Sequence, residues 1–121
     1  LALFIIATSE GKALTDYIKT DWLKIETLAY IPHSVIQEFI FRGVVLTTLI
    51  RIFHGNPLWQ PVLLSNLLFA FMHMHLGLGA VAITFCSGYF FSWMFLRHKT
   101  ILGVSIAHLL LGSSAFIFSI L

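Results

Sequence analysis

The stretch YIPHSVIQEFIFRGVVLTTLIRIF, residues 30–53, decides the fold class. It is apolar along most of its length and carries Glu38 and Arg42 near its middle. A helix needs roughly 20 apolar residues to cross the ~30 Å hydrocarbon layer of a bilayer. Ionisable side chains at membrane depth cost about 2.5–3.5 kcal/mol each, so they face the interior of a helix bundle and usually mark function. The stretch therefore predicts a membrane helix with a polar site on its inner face.

The composition of the whole chain agrees with a membrane protein. Of its 121 residues, 59% are apolar and only 10% are charged, against about 25% charged in soluble domains. This excludes a soluble globular domain and a disordered segment. A net charge of +2 provides no basic patch for nucleic acid, and a single cysteine excludes a disulfide framework. We expect one integral membrane domain over residues 1–121, cut from a longer protein and contacting lipid.

Three further apolar segments follow the first one, at residues 61–75, 80–96 and 101–121. Glycine, proline and a basic loop separate them, and none has the alternation of a strand. The chain is therefore predicted to be all-α, a polytopic transmembrane bundle of four main helices. Residues 9–28 hold seven of the charged residues between apolar positions three or four apart. This pattern predicts an N-terminal amphipathic helix in the membrane interface, with a solvated linker as the alternative.

Small residues recur at every fourth position of the third segment, namely Ala80, Thr84, Gly88 and Ser92. Such a stripe allows two helices to approach closely in lipid. We interpret it as a packing surface without a chemical role.

The polar residues inside the apolar segments are the candidate site: Gln37, Glu38, Arg42, Asn66, His73, His75 and His108. Glu38 and Arg42 lie on one helix face, where a structural ion pair is the simplest role for Arg42. At ~1.5 Å per residue, alternating helices would place Glu38 ~12 Å and His108 roughly 20 Å from one membrane surface, so these two and His73 would converge in one pocket if the short second helix lies deep. His75 is predicted to lie at a helix end. His33, His54 and His98 are predicted to be solvated, in terminal or loop positions.

These residues resemble the motifs of a known family. Residues 37–43, QEFIFRG, look like its E-E-x-x-x-R motif followed by glycine, and residues 69–73 match F-x-x-x-H. His108, followed by Gly112, matches the start of H-x-x-x-N. The family is that of the CPBP intramembrane endopeptidases, which include the type II CAAX prenyl proteases and the bacterial Abi immunity proteins. The resemblance covers about residues 30–118.

The resemblance implies cleavage of a peptide bond within the membrane by an activated water and without a cofactor. His73 would orient or deprotonate the water, and His108 would donate a hydrogen bond to the oxyanion. Glu38 and Gln37 would complete the site. The substrate would be a membrane-associated peptide or protein. We expect a multi-pass protein, in a prokaryotic plasma membrane.

Two positions depart from the family pattern. Gln37 stands where the motif has its leading glutamate, and an amide cannot take a proton, whereas a general base contributes about 10²–10⁴-fold. Gly112 stands where the motif has asparagine, and losing one oxyanion donor costs about 10²–10³-fold. A hydroxyl from Ser113 or Ser114 is a possible replacement.

Two alternative hypotheses stay open. In the first, which the two departures favour, the chain is a catalytically silent family member that acts as a membrane immunity or interaction protein. In the second, the chain is a zinc-dependent protease with Glu38, His73 and His108 as ligands, since two histidines and one carboxylate form a common catalytic zinc site. Against zinc, Glu38 already has Arg42 as a partner, and the sequence lacks an H-E-x-x-H helix.

Overall fold

The computed structural model describes residues 25–117, with side chains for residues 28–115. Every regular element in this part of the chain is helical, which confirms the all-α prediction. The elements are α1 (Ile25–Glu38), a π-helical segment (Phe39–Leu46), α2 (Thr47–Ile52), α3 (Trp59–Phe71), a 3₁₀ turn (Met74–Leu76), α4 (Leu78–His98) and α5 (Ile101–Ile117). Residues 9–24 of the predicted interfacial helix lie outside the described residues.

The first apolar segment forms a continuous helical run from α1 through the π-helical segment into α2. The described part of this run starts at Ile25, before the predicted residue 30, and Pro32 lies inside α1. The π-helical segment was not predicted, because its wider turn has no distinct signature in the apolar pattern. It buries the adjacent residues Phe41 and Arg42 and also Leu46. Short π-helical stretches are frequent at functional sites.

The second and third segments differ from their predicted lengths in opposite directions. α3 ends at Phe71, so His73 lies in a turn after the helix. Gly77, with φ of 97°, then allows the chain to reverse into α4. α4 is longer than the predicted residues 80–96, and it is the one described helix that is long and apolar enough to cross a membrane. α3 and α5 are apolar but shorter.

The helices bury polar side chains together with an apolar cluster that includes Phe69, Phe91 and Leu46, and they expose large apolar side chains on the outside. α3 packs most extensively against α4, and α1 packs against α5. The buried polar side chains include Glu38, Arg42, Asn66 and His108. In contrast, large apolar side chains are exposed on every helix, for example Leu78 at 81%. An outer surface with this many apolar side chains is typical of a helix bundle that faces lipid.

Side chains of two other elements approach α4 closely at Gly88. All four residues of the predicted small-residue stripe are buried. The Gly88 carbonyl accepts a hydrogen bond from Arg42 Nη2 at 3.1 Å. The Asn66 amide nitrogen, oriented toward α4, lies 3.0 Å from the same carbonyl and 3.1 Å from Ser92 Oγ. The stripe therefore lets two polar side chains reach the backbone of α4.

We expect Gly88→Ala to destabilise the fold. The added Cβ would lie 2.9 Å from the terminal atom of the Asn66 amide that faces α4 and 3.3 Å from Arg42 Nη2, and overpacking of this kind typically costs about 1–3 kcal/mol. Gly79→Ala is the matched control on the same helix, because its Cβ would meet no atom within 4 Å. The free energy of unfolding in detergent micelles measures both. Equal stabilities for the two variants would contradict the close packing at Gly88.

Candidate active site

The buried carboxylate of Glu38 contacts two side chains from other parts of the bundle, an imidazole and a guanidinium. Glu38, at the end of α1, is fully buried. Its Oε1 accepts a hydrogen bond from His108 Nδ1 on α5 at 2.7 Å. Its Oε2 lies 3.2 Å from Arg42 Nε in the π-helical segment. Oε1 is therefore hydrogen-bonded, whereas Oε2 and Arg42 Nε form an ion pair that does not meet hydrogen-bond geometry.

Arg42 connects this carboxylate to α3 and α4. The guanidinium is fully buried and donates to the Gly88 carbonyl. It also lies 4.3 Å from the ring centroid of Phe69 and 5.5 Å from that of Phe91. A cation over an aromatic face is stabilised electrostatically, and more so where water is excluded. The structure thus gives Arg42 a carboxylate, a carbonyl and two rings as partners.

His108 is held in one orientation by the residues around its ring. It is 5% exposed, and its ring stacks on Phe91 with centroids 5.2 Å apart. Because a carboxylate oxygen can only accept, Nδ1 carries the proton of the hydrogen bond to Glu38. Nε2 then offers a lone pair in the neutral ring and a donor in the doubly protonated ring. Glu38 is the counter-charge for that second form.

His73 is also fixed through Nδ1, but by a neutral partner. Its Nδ1 lies 2.9 Å from the Phe69 carbonyl oxygen, so Nδ1 is the protonated nitrogen and Nε2 carries the lone pair. Partial burial lowers the pKa of His73, and neighbouring imidazoles add to this effect, while the hydrogen bond to Phe69 opposes it. His73 is therefore neutral at pH 7 and can accept a proton on Nε2.

One cavity of about 450 Å³ brings the motif residues together. Gln37, His73 and His108 all line it, and so do Tyr30, Gly112 and Ser114. Glu38 and Ser113 are not among the lining residues. Glu38 instead lies behind His108, where it can orient the imidazole but does not face the cavity. The two histidines therefore meet at the cavity as predicted, whereas the acid contacts only His108, on the side of that ring away from the cavity.

Gln37 presents an unused acceptor at this cavity. Its Oε1 is buried and has no hydrogen-bond partner among the described residues. Buried polar atoms are nearly always hydrogen-bonded, so an orphaned acceptor in a cavity wall indicates a place for water or a substrate group. Gln37 can hold such a water by accepting from it, although it cannot take its proton.

The remaining histidines are placed as follows. His33 lies within α1, which corrects its predicted terminal or loop position, although it is exposed as expected. His54 and His98 are exposed, in the loop before α3 and at the end of α4. His75 is exposed in the 3₁₀ turn, with Nδ1 3.0 Å from the Met72 carbonyl oxygen.

Sequence reasoning missed Tyr30 and Phe91. Tyr30 precedes Gln37 by seven residues, or two helical turns, so a search along that helix face would have found it. No feature of the sequence distinguishes Phe91 from the other apolar residues of α4 as the one that stacks on His108.

The described part of the chain contains no group of three histidine, cysteine or acidic side chains that could hold a metal ion. The hydrogen bond between His108 Nδ1 and Glu38 Oε1 directs these two side chains at each other. The residues present therefore do not assemble the ligand set of the zinc alternative, which stays a prediction.

Comparison with known proteins identifies the family. The model of the type II CAAX prenyl endopeptidase Rce1-like family matches residues 21–113. No curated protein and no solved structure matches the chain. The matched region contains all three motif segments and the Glu38, Arg42 and His108 network. The chain therefore belongs to the type II CAAX prenyl endopeptidase Rce1-like family, which is a family of membrane-embedded proteases.

Proposed function

We propose that this protein is an intramembrane endopeptidase that hydrolyses a peptide bond with a water bound between Gln37, His73 and His108. The single observation that supports this proposal is the cavity itself, which the three motif side chains line together. The carboxylate behind His108 and the fixed proton on each imidazole support it further.

His73 is the general base of the proposed reaction. The water donates a hydrogen bond to His73 Nε2 and attacks the carbonyl carbon of the substrate as its proton passes to that nitrogen. The resulting imidazolium then gives the proton to the leaving amine. Hydrogen bonding of Nδ1 to Phe69 keeps Nε2 directed away from the helix backbone.

His108 acts on the opposite side of the carbonyl. In its doubly protonated form, Nε2 donates to the oxyanion while Nδ1 stays on Glu38. Glu38 is a positioning residue, because it contacts the imidazole and not the cavity. This division of roles follows from the environments of the two rings, since within residues 28–115 His108 contacts a carboxylate and His73 contacts a backbone carbonyl.

Gln37 positions the attacking water without taking its proton. An amide at this position leaves His73 as the sole base, so we expect a slow enzyme. The catalytic penalty is up to about 10²–10⁴-fold relative to a site with an additional carboxylate base.

The proposed substrate is a membrane-associated peptide or protein. Apolar side chains dominate the outer surfaces of α3, α4 and α5, so we propose that these helices, with the α1–α2 run, form a multi-pass domain in a prokaryotic plasma membrane. A substrate segment would then become extended only inside the cavity, because an extended backbone in lipid would leave its polar groups unpaired.

We expect His73→Ala and His108→Ala each to lower kcat by at least about 10²-fold, because each removes a group that touches the reacting atoms. His54→Ala, which is exposed in a loop, is the control and should leave the rate unchanged. The measurement is cleavage of a panel of membrane-anchored fluorogenic peptides by the protein in liposomes. A chelator should leave the rate unchanged.

Other outcomes of the same assay favour the alternatives. Activity that is lost with the chelator and restored by zinc indicates the metal-dependent protease. Absence of cleavage by a folded wild-type protein across the panel indicates the catalytically silent member.

Gln37→Glu should raise kcat, by up to about 10²–10⁴-fold, because it adds a second proton acceptor beside the water. Gln60→Glu is a control for the added charge, since Gln60 lies in the first turn of α3 and outside the cavity. A rate that does not rise in Gln37→Glu would contradict the proposed position of the water.

A further inference from the structure

The hydroxyl of Tyr30 occupies the space beside Gly112. A Cβ added at Gly112 would overlap Tyr30 Oη and lie 2.8 Å from Tyr30 Cζ. Only a residue without a side chain therefore fits on α5 at this position. The two residues come together because α1 packs against α5.

The same hydroxyl lies close to the proposed reaction centre. Tyr30 and Gly112 both line the cavity with His108. Gly112 follows His108 by four residues on α5, so the two lie on one helix face. The Tyr30 ring meets the His108 ring edge-on, with centroids 6.1 Å apart. A group at this place can therefore reach a substrate oxygen that also contacts His108.

Three further hydroxyls line the cavity, and each donates to a carbonyl of its own helix. Thr84 Oγ1 donates to the Ala80 carbonyl at 2.7 Å, and Ser87 Oγ donates to the Thr84 carbonyl at 3.2 Å. Ser114 Oγ donates to the Leu110 carbonyl at 2.7 Å. The Tyr30 hydroxyl approaches the cavity from a different helix, on a ring that extends from α1 toward α5.

We propose that the Tyr30 hydroxyl is a catalytic residue that donates a hydrogen bond to the oxyanion, in place of a side chain at position 112. This inference rests on the proposed function. A phenolic hydroxyl donates one hydrogen bond and can rotate to do so while it accepts another. No bond to hydrogen is broken in this step, because the hydroxyl only stabilises the negative charge that forms on the substrate oxygen.

Tyr30→Phe tests the proposal. We expect kcat to fall by about 10²–10³-fold with little change in KM, because the lost hydrogen bond forms only as the oxyanion develops. Tyr89→Phe, on an exposed part of α4 outside the cavity, should cleave at the wild-type rate. The melting temperatures of both variants should stay close to that of the wild type.

A double variant that removes the Tyr30 ring and adds a side chain at position 112 provides a second test. Gly112→Asn by itself should fold poorly, because its Cβ overlaps Tyr30. Tyr30→Ala combined with Gly112→Asn removes that overlap and returns a donor from α5. We expect the double variant to fold and to exceed Tyr30→Ala in kcat by at least about 10-fold.

The outcomes separate this inference from the proposed function. If the wild type cleaves and depends on His73 while Tyr30→Phe keeps its kcat, the role of Tyr30 is wrong and the endopeptidase proposal stands. A rise in KM at constant kcat overturns the role as well, since it indicates substrate binding only. A folded wild-type protein without cleavage overturns both.

Discussion

The structure depends on one buried carboxylate. Glu38 has no contact with solvent, and a lone charge in that position would cost several kcal/mol. Arg42 and His108 offset this cost by engaging its two oxygens at 3.2 and 2.7 Å. Because these partners lie in the π-helical segment and on α5, the charge can stay buried only while α1 and α5 remain together. The same requirement fixes the ring of His108 at the cavity.

The network also explains the choice of small residues around it. Arg42 reaches the backbone of α4 because Gly88 has no side chain, and its guanidinium lies over Phe69. Gly112 likewise leaves room for the ring of Tyr30. Each glycine thus admits a large polar side chain from another helix. In lipid, close packing and internal hydrogen bonds stabilise a bundle, since apolar surface gains little from association.

Much of this arrangement could be predicted from the sequence, because charged residues inside apolar segments leave few alternatives. The helical class and the inward placement of Glu38, Arg42 and His108 follow from the cost of charge in lipid. Their partners could not be predicted, since spacing along one helix says nothing about which atoms meet between helices. The π-helical segment was missed because its wider turn has no distinct signature in the apolar pattern. The end of α3 before His73 was missed because the apolar run continues to Leu76. The Tyr30–Gly112 pair was missed because it is a contact between two helices.

The most direct test of the account is the contact between His108 and Glu38 in a bilayer. Solid-state NMR on protein with ¹⁵N-labelled histidine and ¹³C-labelled glutamate can measure the separation of His108 Nδ1 from the Glu38 carboxyl carbon. The account predicts a separation below about 4 Å, as a direct hydrogen bond requires, and its disappearance in His108→Ala. A His108 Nδ1 that shows no dipolar coupling to the Glu38 carboxyl carbon would contradict the shared carboxylate, and with it the proposed site.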